Sequence, residues 1–548
     1  MTAAQAGPAG AAGNAGNTRL ILLTLAAGQF LMALDSSVMN VSIATVAEDI
    51  GTTVSGMQGA ITAYTLVMAM LMISGGKVGA LIGRKRAFMI GCVVYGLGSL
   101  TTSLAPNLTL LLVGWSFLEG VGAALIMPAI VALVASNFDK AQRPAAYGLV
   151  AAAAAVAIAV GPLIGGFATT FFSWRWVFAG EVVMVLVILL LGRRIADAPP
   201  EHRPRIDVLG AVLSAAGIGL FVFGILRTSE WGWFRPKAGG PSWFGVSPVV
   251  WLVLAGLMLV WLFFRWEARL VARGAEPLVD PQLMQNRQLT GGLTMFLFQY
   301  LVQMGVFFVV PLYLSVALGL SALHTGALLL PLSITLLAAA IGVPKFRPNA
   351  SPRRVVRWGI LAMFAGAVVL LAALTPDSGA AVVTVPMLLI GLGIGLLASQ
   401  LGAVTVSAVP DEQSAEVGGI QNTVTNLGAS IGTAVAGSIM IAVLAASFLA
   451  TVDQNPAIPA EAKTRAHTQL AGTAPFLSDE QLSKALEETG TDPVVAQAAL
   501  DANEKARIDG LRAALAILAL AALVALFFTQ RIPAAQPGAA RRPADAPS

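Results

Sequence analysis

The chain has 548 residues, of which 57% are hydrophobic and 11% charged, and its mean hydropathy is +0.80. Soluble proteins carry about 25% charged residues, so this charge deficit excludes a string of soluble domains despite the length. The net charge of +5 and pI near 9.5 do not point to nucleic acid, because the basic residues sit in short loops between apolar runs, where they set membrane orientation.

In chain order, Met1 to Asn17 is rich in Ala and Gly and lacks a basic leader region, so residues 1–17 read as a disordered cytoplasmic tail. Runs of about 20 mostly apolar residues, enough to span a bilayer, then recur about fourteen times: roughly 20–43, 57–80, 87–105, 108–134, 143–169, 174–193, 207–227, 247–265, 289–315, 321–343, 355–374, 380–404, 417–448 and 509–529. The runs are nearly free of charge. Asp35 is the one charged residue between Arg19 and Glu48, Glu119 the one between Arg86 and Asp139, and there is none between Gln288 and Pro344. The lone cysteine, Cys92, lies inside a run, so one chain holds no disulfide framework.

Alternate loops carry Arg84, Lys85, Arg86; Lys140, Arg143; Arg193, Arg194, Arg203, Arg205; Arg265, Arg269, Arg273, Arg287; and Lys345, Arg347, Arg353, Arg354, Arg357. The opposite short loops carry only Arg175, Arg227, Arg235 and Lys237. The positive-inside rule makes the first set, and both termini, cytoplasmic. The loop with Asp411 and Glu412 lacks basic residues and is the weak point of this topology. Trp231, Trp233 and Trp243 suit the outer interface. The polar stretch of about 449–508 is external, and Ser478 followed by Asp479, Glu480 and Gln481 reads as the capped start of an amphipathic helix.

Three segments carry a family pattern. Gly76-Lys-Val-Gly-Ala80-Leu-Ile-Gly83-Arg84-Lys85-Arg86 resembles the helix 2–3 loop of the major facilitator superfamily. Gly161-Pro162-Leu-Ile-Gly165-Gly166 resembles the antiporter motif of its exporters, and Leu34-Asp35-Ser-Ser-Val-Met39-Asn40-Val is similar to helix 1 of its 14-helix drug:proton antiporters. Trp174-Arg175-Trp176-Val-Phe178 and Pro311-Leu-Tyr-Leu, with Ser321, Gly326 and Pro331, follow in register, so the match runs from about Thr18 to Arg531. The resemblance implies an all-α membrane fold of two six-helix bundles plus two inserted helices. The bundles fall at 18–195 and 288–530, the linker helices at 196–287, and a disordered cytoplasmic tail at 531–548. It implies rocking alternating access, efflux driven by proton entry, and a bacterial plasma-membrane location. The chain departs from the pattern at Ala80, where the family has Asp, and at Glu119 and Glu181, where it has amides.

The residues support the same chemistry on their own terms. A carboxyl in low dielectric binds and releases protons nearer neutral pH than one in water. It also pairs with cations, so proton and substrate compete for one charge. Asp35, Glu119 and Glu181 fall in one layer, about 10–16 Å from the outer ends of their runs at the helical rise, and form the expected proton-coupling set. The other reading is structural: neutral carboxyls hydrogen-bonded between helices. The expected substrate-facing set is Met32, Met39, Asn40, Trp115, Gln299, Gln303, Asn422 and Asn426. The amide pairs are spaced i, i+4 and share a helix face, as a cavity wall or as interhelical bonds. The methionines serve a promiscuous pocket or simply fill space. Gly76, Ala80, Gly83, Arg84, Lys85 and Arg86, with Gly161, Pro162, Gly165 and Gly166, are the expected conformational elements. At Ala80 the family's cytoplasmic latch loses its carboxylate, or another group supplies it.

An enzyme is not indicated: His202, His324 and His467 fall in separate regions without ligand-spaced partners, and no phosphate loop is present. No cofactor, metal or nucleic acid is expected. The expected partners are protons, a small-molecule substrate and lipid, and the chain is expected to be a monomer. Alternatives within transport are an importer, or a lipid or metabolite exporter of narrow specificity. A more remote one is a non-transporting membrane sensor.

Overall fold

The computed structural model describes residues 8–138, 143–196, 207–237, 240–347, 349–409, 414–456, 458–470 and 476–536. All its regular elements within these residues are helices. In chain order the longer ones are α1 (Pro8–Asp49), α2 (Val54–Ile82), α3 (Arg84–Ser103) and α4, which joins Leu108–Leu111, a π-helical Leu112–Glu119 and Gly120–Asn137. Then come α5 (Arg143–Phe171), α6 (Arg175–Gly192), α7 (Val208–Leu226), α8 (Pro248–Ala272) and α9 (Arg287–Leu312, closed by a π-helical Tyr313–Ala317). The rest are α10 (Ala322–Phe346), α11 (Pro352–Ala373), α12 (Thr384–Val406), α13 (Ser414–Gln454), α14 (Ala460–Leu470), α15 (Asp479–Glu488) and α16 (Pro493–Phe528).

Each of the apolar runs lies on one of these helices. Twelve are long and apolar enough to cross a membrane, and α5, bent by 40° between 152–158 and 160–171, makes a thirteenth if the bent pair is one span. The run at 87–105 lies on α3, whose first turn is Arg84-Lys85-Arg86 and which is diluted by Gly, Ser and Thr. The chain is a multi-pass membrane protein.

Two six-helix bundles repeat one pairing pattern. In the first, α1 packs on α5 and α6, α2 on α4, and α3 on α4 and α6. In the second, α9 packs on α13 and α16, α10 on α12, and α11 on α12 and α16. The bundles meet along two seams that are equivalent under this repeat, α5 with α10 and α2 with α13. The inserted helices α7 and α8 pair with each other, and α7 lies against α2 and α13, outside the second seam. The outer face of α8 stays apolar and exposed at Leu254, Leu257, Met258 and Trp261, as a lipid-facing helix should.

Both expected tails shorten. Helix α1 begins at Pro8, because the Ala-rich stretch favours helix and proline is tolerated in a first turn. After α16 the chain stays packed: Ile532 is fully buried, the Pro533 carbonyl accepts from the Arg353 backbone N–H at 3.1 Å, and Gln536 donates to the Ala350 carbonyl at 2.8 Å. The polar stretch of about 449–508 is, within its described residues, a helical cap. Ser478 and Gln481 form the reciprocal capping box expected from the sequence, and Val452, Ile458, Ala498 and Ala502 make a small core between the extended ends of α13 and α16.

Candidate functional site

Asp35 on α1, Glu119 on α4 and Glu181 on α6 converge. Each is at most 1% exposed, and one carboxylate oxygen from each lies within 4.8 Å of the others. Small residues bring their helices together. A Cβ at Gly98 of α3 would stand 2.6 Å from Glu119 Cγ and 2.8 Å from the Gly114 carbonyl, and one at Gly122 would stand 2.7 Å from the Tyr95 backbone nitrogen. Glycine therefore lets the α3 and α4 backbones touch. The π turn Leu112–Glu119 widens α4 locally and carries both Trp115 and Glu119 toward the cluster. Such turns recur at functional sites, and no residue pattern in an apolar run announces them.

Polar contacts hold each acid. Trp115 Nε1–H donates to both Asp35 oxygens, at 2.9 and 3.1 Å, and its ring stacks on Tyr64 at 5.3 Å between centroids. The Ser99 hydroxyl donates to Glu181 at 3.1 Å, and the Thr102 hydroxyl to Glu119 at 3.4 Å. Tyr64 and Tyr95 turn their hydroxyls toward Asp35; Glu119 Oε2 and Glu181 Oε1 are unpartnered. Among the described residues none of the three acids has an ion-pair partner. Unit charges 4.8 Å apart repel by about 3.5 kcal/mol at an effective dielectric of 20. The cluster therefore needs protons or a cation to neutralise part of its charge. Tyr64, Tyr95, Ser99 and Thr102 were not read as site residues from sequence; their only signal was a polar tip within an apolar run.

The expected substrate-facing residues divide. Met32 and Met39 are buried in the packed core, and Trp115 is committed to Asp35. Gln299 and Gln303 are 3% and 1% exposed and each leaves Oε1 unpartnered. Asn426 is half-buried, donates to the Asn422 carbonyl at 2.8 Å and touches Met72 of α2 across the seam. The side chains of Asn40 and Ala80, and residues Lys140, Arg203, Arg205, Asp411 and Glu412, lie outside what is described.

The α5 motif packs on two sides. Proline at 162 has no N–H for the Ile158 carbonyl, and Ser37 Oγ of α1 donates to that carbonyl at 3.4 Å. A Cβ at Gly161 would collide with Ser37, and one at Gly165 would stand 2.9 Å from Val38. On the other side a Cβ at Gly166 would stand 2.5 Å from the Ala322 carbonyl of α10, and one at Gly326 would collide with the Pro162 carbonyl. The Thr170 hydroxyl also accepts from the Leu323 N–H at 3.0 Å. These contacts close the seam at the end opposite the basic loops. Midway, between Ser37, Pro162, Phe307 and Leu329, a void of about 10 Å³ remains, at most one water's worth.

At the basic end, Gly83 turns the chain between α2 and α3 at φ +103°, a conformation that favours glycine. Lys85 donates to the Arg193 carbonyl at 2.8 Å and Arg84 to the Ala132 carbonyl at 3.3 Å, which ties the motif within its own bundle. Arg86 is exposed, and a Cβ at Gly76 would make ordinary contact with Pro128 at 3.6 Å. A cavity of about 250 Å³ lies here, lined by Lys77, Arg84, Leu278, Val279, Glu416 and Gly419 among others. The strand of chain between α8 and α9 crosses it. Leu278 N–H donates to the buried Glu267 at 2.7 Å, and Asp280 N–H to Glu416 at 2.6 Å.

Residues 25–433 match the profile described as Major Facilitator Superfamily. The chain is 28% identical over 459 residues to a probable actinorhodin transporter of Streptomyces coelicolor, covering 82% of this chain and 75% of that one. It is 30% identical over 419 residues to a cephamycin export protein of Amycolatopsis lactamdurans, covering 76% and 83%. Its fold is similar to that of a bacterial homologue of the human lysosomal transporter Spinster, solved inward-facing and unoccupied, with a TM-score of 0.57 at 13% identity over 94% of this chain and 98% of that one.

Proposed function

The chain belongs to the major facilitator superfamily, and from that premise we propose that it exports amphipathic, cationic or neutral drugs or metabolites, driven by proton entry. One observation carries the reading: three carboxylates are buried together inside a membrane bundle without a counter-charge. Neutralisation by protons in one state and release in another is the simplest cycle such a cluster can run. Asp35 is the principal coupling group, since it alone has both oxygens hydrogen-bonded to one donor, Trp115, on a neighbouring helix. Substrate would enter between the bundles from the cavity at the basic face, and the α5–α10 seam would open to release it at the other. In this topology the basic face and both termini are cytoplasmic, and the chain works as a monomer without a cofactor.

The departure at Ala80 fits the same cycle. The strand at Leu278–Asp280 bonds to Glu416 of the second bundle, and this contact serves as the basic-face latch in place of the missing carboxylate. Because both relatives above are named for single antibiotics, a metabolite exporter of narrow specificity is the second reading. Efflux of a chemically varied substrate panel from cells expressing the protein, with and without a protonophore, tests both. Efflux that survives collapse of the proton gradient sinks the coupling, and movement of a single compound favours the narrow exporter.

A further inference from the structure

We propose that the turn Trp243–Val246, with Phe244 at its tip, inserts into the bilayer leaflet opposite the basic loops and completes the short span of α8. The turn is built, not loose. Trp243 and Val246 exchange backbone hydrogen bonds at 3.0 and 3.1 Å, and the Ser247 hydroxyl ties the turn to the Gly232 carbonyl at 2.7 Å. Phe244 and Gly245 reverse the chain at φ +54° and +77°. Glycine takes this left-handed backbone freely, but a bulky side chain there is an outlier that a fold keeps only at a cost. Among the described residues Phe244 is the only non-glycine with positive φ, and it is 94% exposed at the protein surface. In water both the strain and the bare ring would count against this residue. Lipid removes the second penalty, and the strained turn then has a use: it carries the ring outward.

Two further observations say what covers the ring. The first is length. No charged residue lies between Lys237 and Arg265, yet α8 begins only at Pro248. From Pro248 to Phe264 the helix rises about 26 Å, short of the roughly 30 Å of a hydrocarbon core. Counting back from Arg265 the roughly 20 residues that a span needs reaches the turn. The second is continuity with the lipid-facing side of α8. Trp251, Leu254, Met258 and Trp261 are exposed at the spacing of one helix face. Phe244 meets Trp251 edge to face, with ring centroids 5.8 Å apart, and Trp251 Nε1–H donates to the Trp243 carbonyl at 3.2 Å. The tip therefore prolongs the lipid-facing stripe past the end of the helix. A second copy of the chain is the other occupant an apolar tip could take, but one ring on a narrow turn offers far less area than a stable protein interface needs.

The test uses the full-length protein in nanodiscs of a single phosphatidylcholine. The photoreactive residue p-benzoylphenylalanine, which captures nearby C–H bonds on illumination, is placed in turn at Phe244, at Met258 on the stripe and at Val494 in the exposed cap. Intact-protein mass spectrometry should show the mass of one added lipid from positions 244 and 258 and none from 494. A cross-linked dimer from position 244 would make the tip an interface between copies and overturn the proposal. So would the absence of a lipid adduct at 244 while 258 gives one. A second measurement does without the bulky probe. Phe244→Cys should react with a membrane-impermeant maleimide at least about tenfold more slowly than Val494→Cys, because an apolar environment suppresses the reactive thiolate. Equal rates in samples with the wild-type gel-filtration profile would place the turn in water and overturn the insertion.

Discussion

The two bundles share one helix-pairing pattern and differ in what they bury. The first buries three carboxylates with no counter-charge among the described residues. The second, among its described membrane-spanning residues, buries the amides Gln299, Gln303 and Gln400. Amides cannot titrate; they offer hydrogen bonds and a fixed charge of zero. Among the described residues the cluster of buried carboxylates lies in one half, so the proposed coupling would reach the other half through the two seams. The seams differ as well. On α5–α10 backbones meet through Gly166 and Gly326. On α2–α13 side chains meet: Gln58 donates to the Thr433 carbonyl at 3.2 Å, and the Thr65 and Ser430 hydroxyls lie 2.6 Å apart. One seam closes on backbone contact at glycines and the Thr170–Leu323 hydrogen bond, the other on side-chain hydrogen bonds.

The sharpest test of this asymmetry is Asp35→Asn, which keeps shape and removes titration. Gradient-driven efflux is expected to fall to the leak rate with membrane expression unchanged, whereas Gln303→Asn in the other bundle should lower efflux only severalfold. Equal loss from both would abolish the distinction between the halves. Next in size is Gly326→Val. An added side chain there meets the Pro162 carbonyl, so the α5–α10 seam cannot close. Efflux is expected to drop at least about tenfold, about 1.4 kcal/mol in transition-state terms. Distances between spin labels across that seam should lengthen.

A smaller effect separates charge from polarity. Glu119→Gln removes a repelling carboxylate and should leave the melting temperature of the purified protein unchanged or raised. Gln303→Glu places an unpartnered acid in the other bundle and should destabilise it by about 2 kcal/mol. Thermal unfolding monitored in detergent distinguishes them, and the reverse order would show that the second bundle tolerates charge as well as the first.

Much of this was legible in the chain because a membrane leaves few options. Backbone polar groups must be satisfied within a helix, so charge-free runs locate the spans, and a charge inside one advertises itself. Asp35, Glu119 and Glu181 could be read that way, and so could the small-residue motif of α5. What could not be read was direction around each helix. The π turn at Leu112–Glu119 sets Trp115 on Asp35, and Met32 and Met39 lie in the packed core. Glu267 carried no signal in the sequence: it stands among the basic residues at the end of α8, yet it is fully buried and accepts from the Leu278 N–H. The tails came out shorter because the Ala-rich residues after Pro8 favour helix, and because the contacts of Ile532, Pro533 and Gln536 hold the chain past α16.

The smallest expected effect concerns a pair of anchors that the repeat makes equivalent. Helix α6 begins at Arg175, which binds Asp49 at the end of α1 and donates to the Ala105 carbonyl at 2.8 Å. Its counterpart α16 carries Arg507, which binds Asp479 at 2.6 Å and the Leu477 carbonyl at 3.1 Å. The difference is burial: the Arg507 side chain is 2% exposed and that of Arg175 31%. Arg507→Ala strips a buried network and should cost about 2 kcal/mol, whereas Arg175→Ala should cost under about 1 kcal/mol. The Arg175 contribution carries its own pH signature. Partial burial raises the Asp49 carboxyl, but the hydrogen bonds from Arg175 and Trp174 outweigh it and hold the group below its ordinary range. A carboxyl depressed in the folded state stabilises above its unfolded pKa, and that stabilisation is lost as pH falls through the folded value. The melting difference between wild type and Arg175→Ala should therefore be full at neutral pH and vanish in strong acid. A difference that persists there would mean that Arg175 acts through packing on Trp174, whose ring centre lies 4.5 Å from the guanidinium, rather than through the charge of Asp49.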